Sequence, residues 1–157
     1  MSKEVGESER YFFIYAFPAL SPESVANHSD YEELMRMFHK GDSPSKDELS
    51  ILFPHAFRRV RDWSIEGIRE YWWVGHTKLM EEVLDEYRGA FKIQCKVKPA
   101  SIVSLASEFS DVIFKREEVS QKVFVPDYLS DLSQGNYVTV RLRWMVEKIS
   151  RKQYDDF

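Results

Sequence analysis

The chain of 157 residues contains a single cysteine, so no disulfide can form within it, and a reducing compartment, the cytoplasm, is the expected setting. Long hydrophobic runs are also missing. The apolar stretch near the start, YFFIYAF, spans seven residues, against about 20 for a membrane span, and it lacks the layout of a signal peptide. There is no glycine-rich phosphate loop, no serine elbow and no pair of carboxylates at a recognisable catalytic spacing. The four histidines, His28, His39, His55 and His76, all lie in the first half, and none stands at zinc-finger spacing from the sole thiol. A basic surplus is absent too: the net charge is −4, which makes nucleic acid an unexpected partner. Together these absences point away from an enzyme and toward a binding or assembly protein, which needs surfaces rather than a polar constellation.

What the chain does have is aromatic side chains, 15% of its residues, enough large apolar groups to build a core without staples. Charge is divided unevenly. Residues 1–90 carry 11 basic and 17 acidic side chains, residues 91–157 carry 11 and 9, and this asymmetry hints at two units.

The two parts also differ in period. After a polar tail over residues 1–9, Tyr11 to Phe17 reads as an apolar strand or buried turn, ended by the prolines of FPALSP. Helical signals follow. Ser21 is placed to cap a helix with Pro22 at its first position, and Asp30 leads Leu34, Met37 and Phe38 toward a stop at Gly41. DSPSKDELSILF reads as a third, short helix. The clearest helix begins at Ser64, repeats Ile65, Ile68, Trp72, Leu79 and Val83 at helical spacing and ends at Gly89. Gly75 inside it weakens helix by about 1 kcal/mol relative to alanine, which marks either a tight backbone contact or simple tolerance. His76 falls at the edge of the apolar stripe as a satisfied, half-buried histidine, and Arg58, Arg59 and Arg61 read as a solvated charge run or a grip for an acidic partner.

From Phe91 the pattern alternates. Phe91, Ile93, Cys95 and Val97 share one face of an expected strand, with Lys92, Gln94, Lys96 and Lys98 on the other. Further strands are expected in SIVSLA, DVIFKR, VSQKVFV and YVTVRLRWMVEKI, with a helical turn in DYLSDLSQG. The fold expected is α+β: a mainly helical domain over 10–90, a small OB-like antiparallel β-barrel over 91–150, and a tail over 151–157.

Within the barrel half, Cys95 to Pro99 followed by ASIVSL, and GNYVTVRLRWMVEKI over 135–149, resemble the small hydrogenase-assembly chaperones of the HypC/HupF family. Those proteins begin with a cysteine, reach a proline four residues on, and close with a Gly-Asp-Tyr-Val turn and an EKI or EKL finish. YAFP and REYWWVGHTKLMEEV also resemble an uncharacterised bacterial family associated with hydrogenase genes. The first resemblance implies that Cys95 is a ligand for iron carried transiently, shared with a maturation scaffold protein, since thiolate sulfur is a soft donor suited to such iron. Read from periodicity alone, Cys95 is a small hydrophobe facing a core. Two positions depart from the family pattern: Cys95 lies inside the chain instead of at its start, and Arg141 stands where the family has a histidine. Only eight residues follow Ile149, too few for the helix that closes the family's barrel, so the N-terminal helices are expected to pack there.

The expected function is that of a hydrogenase maturation or accessory chaperone, with no permanently bound cofactor, that docks on a nickel-iron hydrogenase large subunit or its precursor. The alternatives are a permanent, non-catalytic hydrogenase subunit and an OB-like module for single-stranded nucleic acid with Tyr137 and Trp144 as stacking platforms. Candidate partner-binding residues are Pro99, Gly135, Tyr137, Arg141, Arg143 and Trp144 in the barrel, and Trp72 and Trp73 among the helices.

Overall fold

A computed structural model describes residues 5–25, 28–83 and 95–157. Two compact units emerge, Met1–His76 and Thr77–Phe157, with the division falling earlier than the change of period. No described helix is long and apolar enough to cross a membrane.

Among its described residues, the regular structure of the first unit is helical. Its helices are α1 (Glu7–Ala16), α2 (His28–Lys40), α3 (Lys46–Leu52), α4 (Pro54–Arg59) and α5 (Ile65–Glu70), and α6 (His76–Val83) starts at its end. The apolar run at Tyr11 is therefore helix and not strand, and it begins inside the stretch read as a polar tail. A short apolar run fits either period, and context decides. Here Glu7 and Glu9 suit the positive end of a helix, while Phe12, Phe13, Tyr15 and Ala16 are all buried.

The expected helix ends hold in part. Ser21 with Pro22 starts only a three-residue 3-10 turn, Pro22–Ser24, and α2 begins at His28; the Ser45 side chain, a cap not foreseen, accepts from the Glu48 amide. Gly41 (φ +69°) ends α2, with its amide bonded to the Phe38 carbonyl and that of Asp42 to Met37, the left-handed stop that favours glycine. α4 was not foreseen. Arg58, Arg59 and Arg61 are exposed, and the first two lie in its last turn, where cations suit the helix dipole.

The long helix expected from Ser64 to Gly89, as a spine for the first unit, is interrupted. After α5 the backbone widens into a π-helical turn, Tyr71–Gly75, before α6; Gly89 and residues 91–94 lie outside the described residues. His76 is buried edge-on against Trp72, with ring centroids 5.1 Å apart. A Cβ on Gly75 would meet nothing nearer than the Glu70 carbonyl at 3.9 Å, so the tight contact is not there. It is at Gly67, where a Cβ would overlap the Asp62 carbonyl and side chain. Asp62 folds over the start of α5 because its carboxylate accepts from both the amide and the hydroxyl of Ser64, and the Ser64 oxygen accepts in turn from the Gly67 amide.

The second unit holds a closed barrel of five strands, β1 (Lys98–Leu105), β2 (Phe109–Phe114), β3 (Gln121–Phe124), β4 (Tyr137–Arg141) and β5 (Trp144–Ile149), in the order β1-β2-β3-β5-β4. All neighbours run antiparallel except β3 and β5, which meet at one parallel pair, Phe124 opposite Trp144. The fold is thus α+β with a small barrel, as expected from the sequence. Its interior is filled by Ala100, Ile102, Val112, Phe114, Val123, Val125, Val138, Val140 and Met145, with Leu129 and Leu132 packed against it.

Four expectations for this unit need correction. KIQCKVK is not a strand where it is described: Cys95 has helical backbone and β1 starts only at Lys98. YVTVRLRWMVEKI is two strands, because Leu142 (φ +50°) and Arg143 (φ +67°) turn the chain in a two-residue hairpin. DYLSDLSQG has turns but no helix; it lays Leu129 and Leu132 against the barrel core instead. Finally, the last residues are not a tail but a helix, α7 (Arg151–Asp156). Six residues are too few to hold a helix unaided, and both ends of this one are tied. Ser150 and Gln153 form a capping box, and the Lys115 ammonium donates to the carbonyls of Tyr154, Asp155 and Phe157 at 2.7–2.9 Å.

The two glycines of the spine should respond in opposite ways. Gly67→Ala forces Asp62 off the helix start and is expected to destabilise by about 1–3 kcal/mol. Gly75→Ala meets open space and is expected to be neutral or to stabilise by up to about 1 kcal/mol. Urea denaturation of the two variants measures both.

Candidate partner-binding surface

β2 and β3 alternate cleanly, so one set of side chains fills the barrel and the other faces out. On the outside, Phe109 of β2 lies directly opposite Phe124 of β3, and Phe124 lies beside Trp144 of β5. The three rings form a row across three strands, with centroids 5.2 Å and 5.0 Å apart. Phe124 is 39% exposed, a large apolar ring left in water. The Lys122 ammonium sits 5.7 Å from the Phe109 ring centre, and exposed Arg143 precedes Trp144 at the hairpin.

Of the residues the sequence nominates, only Arg143 and Trp144 belong to this surface. Tyr137 lies against Tyr154 of α7, with centroids 4.4 Å apart, so its face is taken. Pro99 is half-buried in β1, where its carbonyl accepts from the Lys115 amide. Gly135 is exposed with φ +87°, and its amide donates to the Ile102 carbonyl while Asn136 accepts from the Ile102 amide. The turn therefore prolongs the pairing of β1 with β4, a structural use of glycine's freedom. Trp72 is only 2% exposed, packed against Phe12, Tyr15 and Tyr71, and so belongs to the helical core and not to a partner. Trp73 is half-buried, its indole donating to the Tyr15 hydroxyl at 2.8 Å.

Arg141 is corrected most sharply. At 4% exposure it offers no surface, and its Nε donates to the Cys95 carbonyl at 3.0 Å, tying the segment before β1 to the end of β4. Cys95 is itself 5% exposed. Burial pushes its thiol pKa up, and the Arg141 charge opposes this only in part. A buried thiol held in its protonated form is a poor ligand for a metal, which binds the thiolate. Among the described residues no three of His, Cys, Asp and Glu converge on a metal position. The residues around Cys95 therefore do not fit an iron centre as they stand, and the core reading of Cys95 suits its surroundings.

Phe109, Phe124 and Lys122 were missed. Alternation in EFSDVIF and QKVF shows two faces to each strand, but not which residues of separate strands stand side by side.

No protein-family model and no curated protein matches this chain.

A thiol whose pKa is raised by folding keeps its proton in the native state, while the unfolded chain releases it near its ordinary value of about 8.5. The corresponding stability is fully present below that pH and is lost as pH rises through the folded value. The urea midpoint is therefore expected to decline as pH rises above about 8.5, and Cys95→Ala to flatten this decline while lowering stability at pH 7 by about 1 kcal/mol. Burial also raises the Tyr128 pKa well above its ordinary value, but phenols titrate in the unfolded chain only near about pH 10, above the onset of this decline. An unaltered pH profile in the variant would place the thiol in solvent.

Proposed function

We propose that this chain is a hydrogenase accessory protein, a maturation chaperone that docks on a hydrogenase large subunit or its precursor through the outer face of its barrel. The observation that carries the docking role is the row Phe109, Phe124 and Trp144 on the outside of the barrel, with Phe124 exposed and its two neighbours half-buried. Apolar rings left in water beside cations are a recognisable interface core, because burying them against a partner removes area from water with little ordering of the side chains. The identity of the partner rests on the resemblance of Cys95–Pro99 and of residues 135–149 to the hydrogenase-assembly chaperones. Docking is separable from iron handling in this reading: the segments that resemble the family contribute to barrel shape, and the buried Cys95 contributes packing.

A protein partner is favoured over single-stranded nucleic acid. Residues 77–157 carry 13 basic and 13 acidic side chains, so the unit has no excess positive charge to hold a phosphate backbone, and Tyr137 is already covered.

Affinity purification of the tagged protein from its native host tests the proposal. Recovery of the large subunit before its maturation is the outcome expected of a chaperone; recovery with the mature enzyme would make the chain a permanent subunit, and recovery with neither would end the hydrogenase assignment. Phe124→Ser should reduce recovery on the order of tenfold and, because the ring also packs across the junction of β3 and β5, lower the melting temperature by a few degrees while leaving the variant folded by circular dichroism.

A further inference from the structure

One end of the barrel opens into a cleft of about 250 Å³, lined by Phe114, Val123, Val140 and Leu142 below and by Lys96, Lys98, Lys122 and Arg143 around them, with Glu117 as its one carboxylate. Four cations against one acid is a strong local excess in a unit whose charges balance overall. Glu117 is engaged by Lys98 at 3.8 Å, and Lys98 lies over the Phe114 ring, 4.3 Å from its centre. Lys122 and Arg143 form no ion pair among the described residues. Like charges gathered in a concavity with apolar walls repel one another and focus a positive potential into the opening, an arrangement that an anion relieves.

The backbone adds a separate indication. Leu142 and Arg143 both have positive φ, +50° and +67°, in a two-residue hairpin where Asn-Gly is the favoured pair. Neither leucine nor arginine suits that region, and side chains held there at a cost in stability concentrate at functional sites. Both of these line the cleft.

We propose that this cleft binds a small organic phosphate, with the phosphate between Lys122 and Arg143 and its apolar body against Leu142. A phosphate monoester, at close to two negative charges, offsets both of these cations, whereas a carboxylate offsets one. The volume lies below the roughly 300–1,000 Å³ of common ligand pockets, which limits the occupant to nucleotide size. Lys122 and Arg143 also border the row of rings, but the site requires no partner protein to bind its ligand.

Isothermal titration of the whole chain with adenosine 5′-monophosphate, inorganic phosphate and adenosine tests this. The expected result is saturable binding of the monophosphate with Kd of about 1 mM or tighter, at least about tenfold tighter than either half alone. Lys122→Glu and Arg143→Glu, both at exposed positions, should each weaken it about tenfold or more, and Lys148→Glu, an exposed cation outside the cleft, should leave it unchanged. The double variant Leu142→Asn, Arg143→Gly should raise the melting temperature and lose binding. The proposal is overturned by no saturable binding of the monophosphate, by adenosine or inorganic phosphate binding equally well, or by Lys148→Glu weakening binding as much as the cleft variants do.

Discussion

The barrel depends on one junction. Four of its five seams are antiparallel ladders, but β3 and β5 meet at the single pair Phe124 and Trp144, with the Phe124 amide donating to the Arg143 carbonyl at 2.8 Å. One backbone bond is worth only about 0.5–1.5 kcal/mol net, so ring packing must supply much of the closure. The tilted ring contacts of Phe109, Phe124 and Trp144 do this from outside while Val123 and Met145 do it from within. The aromatic row is thus a seam as well as a surface. A sheet that failed to close here would leave two open edges, which invite pairing with other chains.

Closure also sets where the hairpin must turn. β5 has to lie between β3 and β4, so the chain reverses within two residues after Arg141. The bend falls on Leu142 and Arg143, whose side chains make them poor choices on conformational grounds alone. The same bend leaves Arg141 pointing inward to the Cys95 carbonyl and Arg143 outward to the cleft. Two arginines two residues apart therefore have opposite uses, one as a buried tie and one as an exposed charge.

Much of the fold is legible in the residues. Ser64 and Gly41 mark helix ends because their chemistry is local: a hydroxyl accepting an amide, a glycine taking positive φ. The strands of β1, β2 and β3 are legible for a like reason, since period two is a property of one segment. The misreadings occur where the deciding contact is distant. Tyr11 to Phe17 is helical because the aromatic core of the first unit surrounds it, and α7 exists because Lys115, some forty residues earlier in the chain, donates to its carbonyls. Alternation runs unbroken through VTVRLRW, across the bend at Leu142 and Arg143, so nothing in that period announces a turn; it is barrel closure that requires one. The site was legible only at Arg143 and Trp144, the two residues that adjoin this turn.

The position of Cys95 shows how one pattern serves two chemistries. A cysteine four residues before a proline at the start of a barrel resembles an iron-handling motif, and a free chain terminus would leave such a thiol accessible. Here backbone continues on both sides, the residue is helical, and Arg141 occupies the neighbourhood with a guanidinium that donates and cannot ligate. The same short spacing then aligns a buried carbonyl with a buried cation and fixes where β1 begins. Desolvation that suits this tie is what holds the thiol protonated, so a tighter structural role and a weaker metal role follow from one burial. Whatever the barrel does chemically, its reachable groups lie elsewhere, on the row of rings and in the cationic cleft at its end, and Lys122 and Arg143 stand where the two meet.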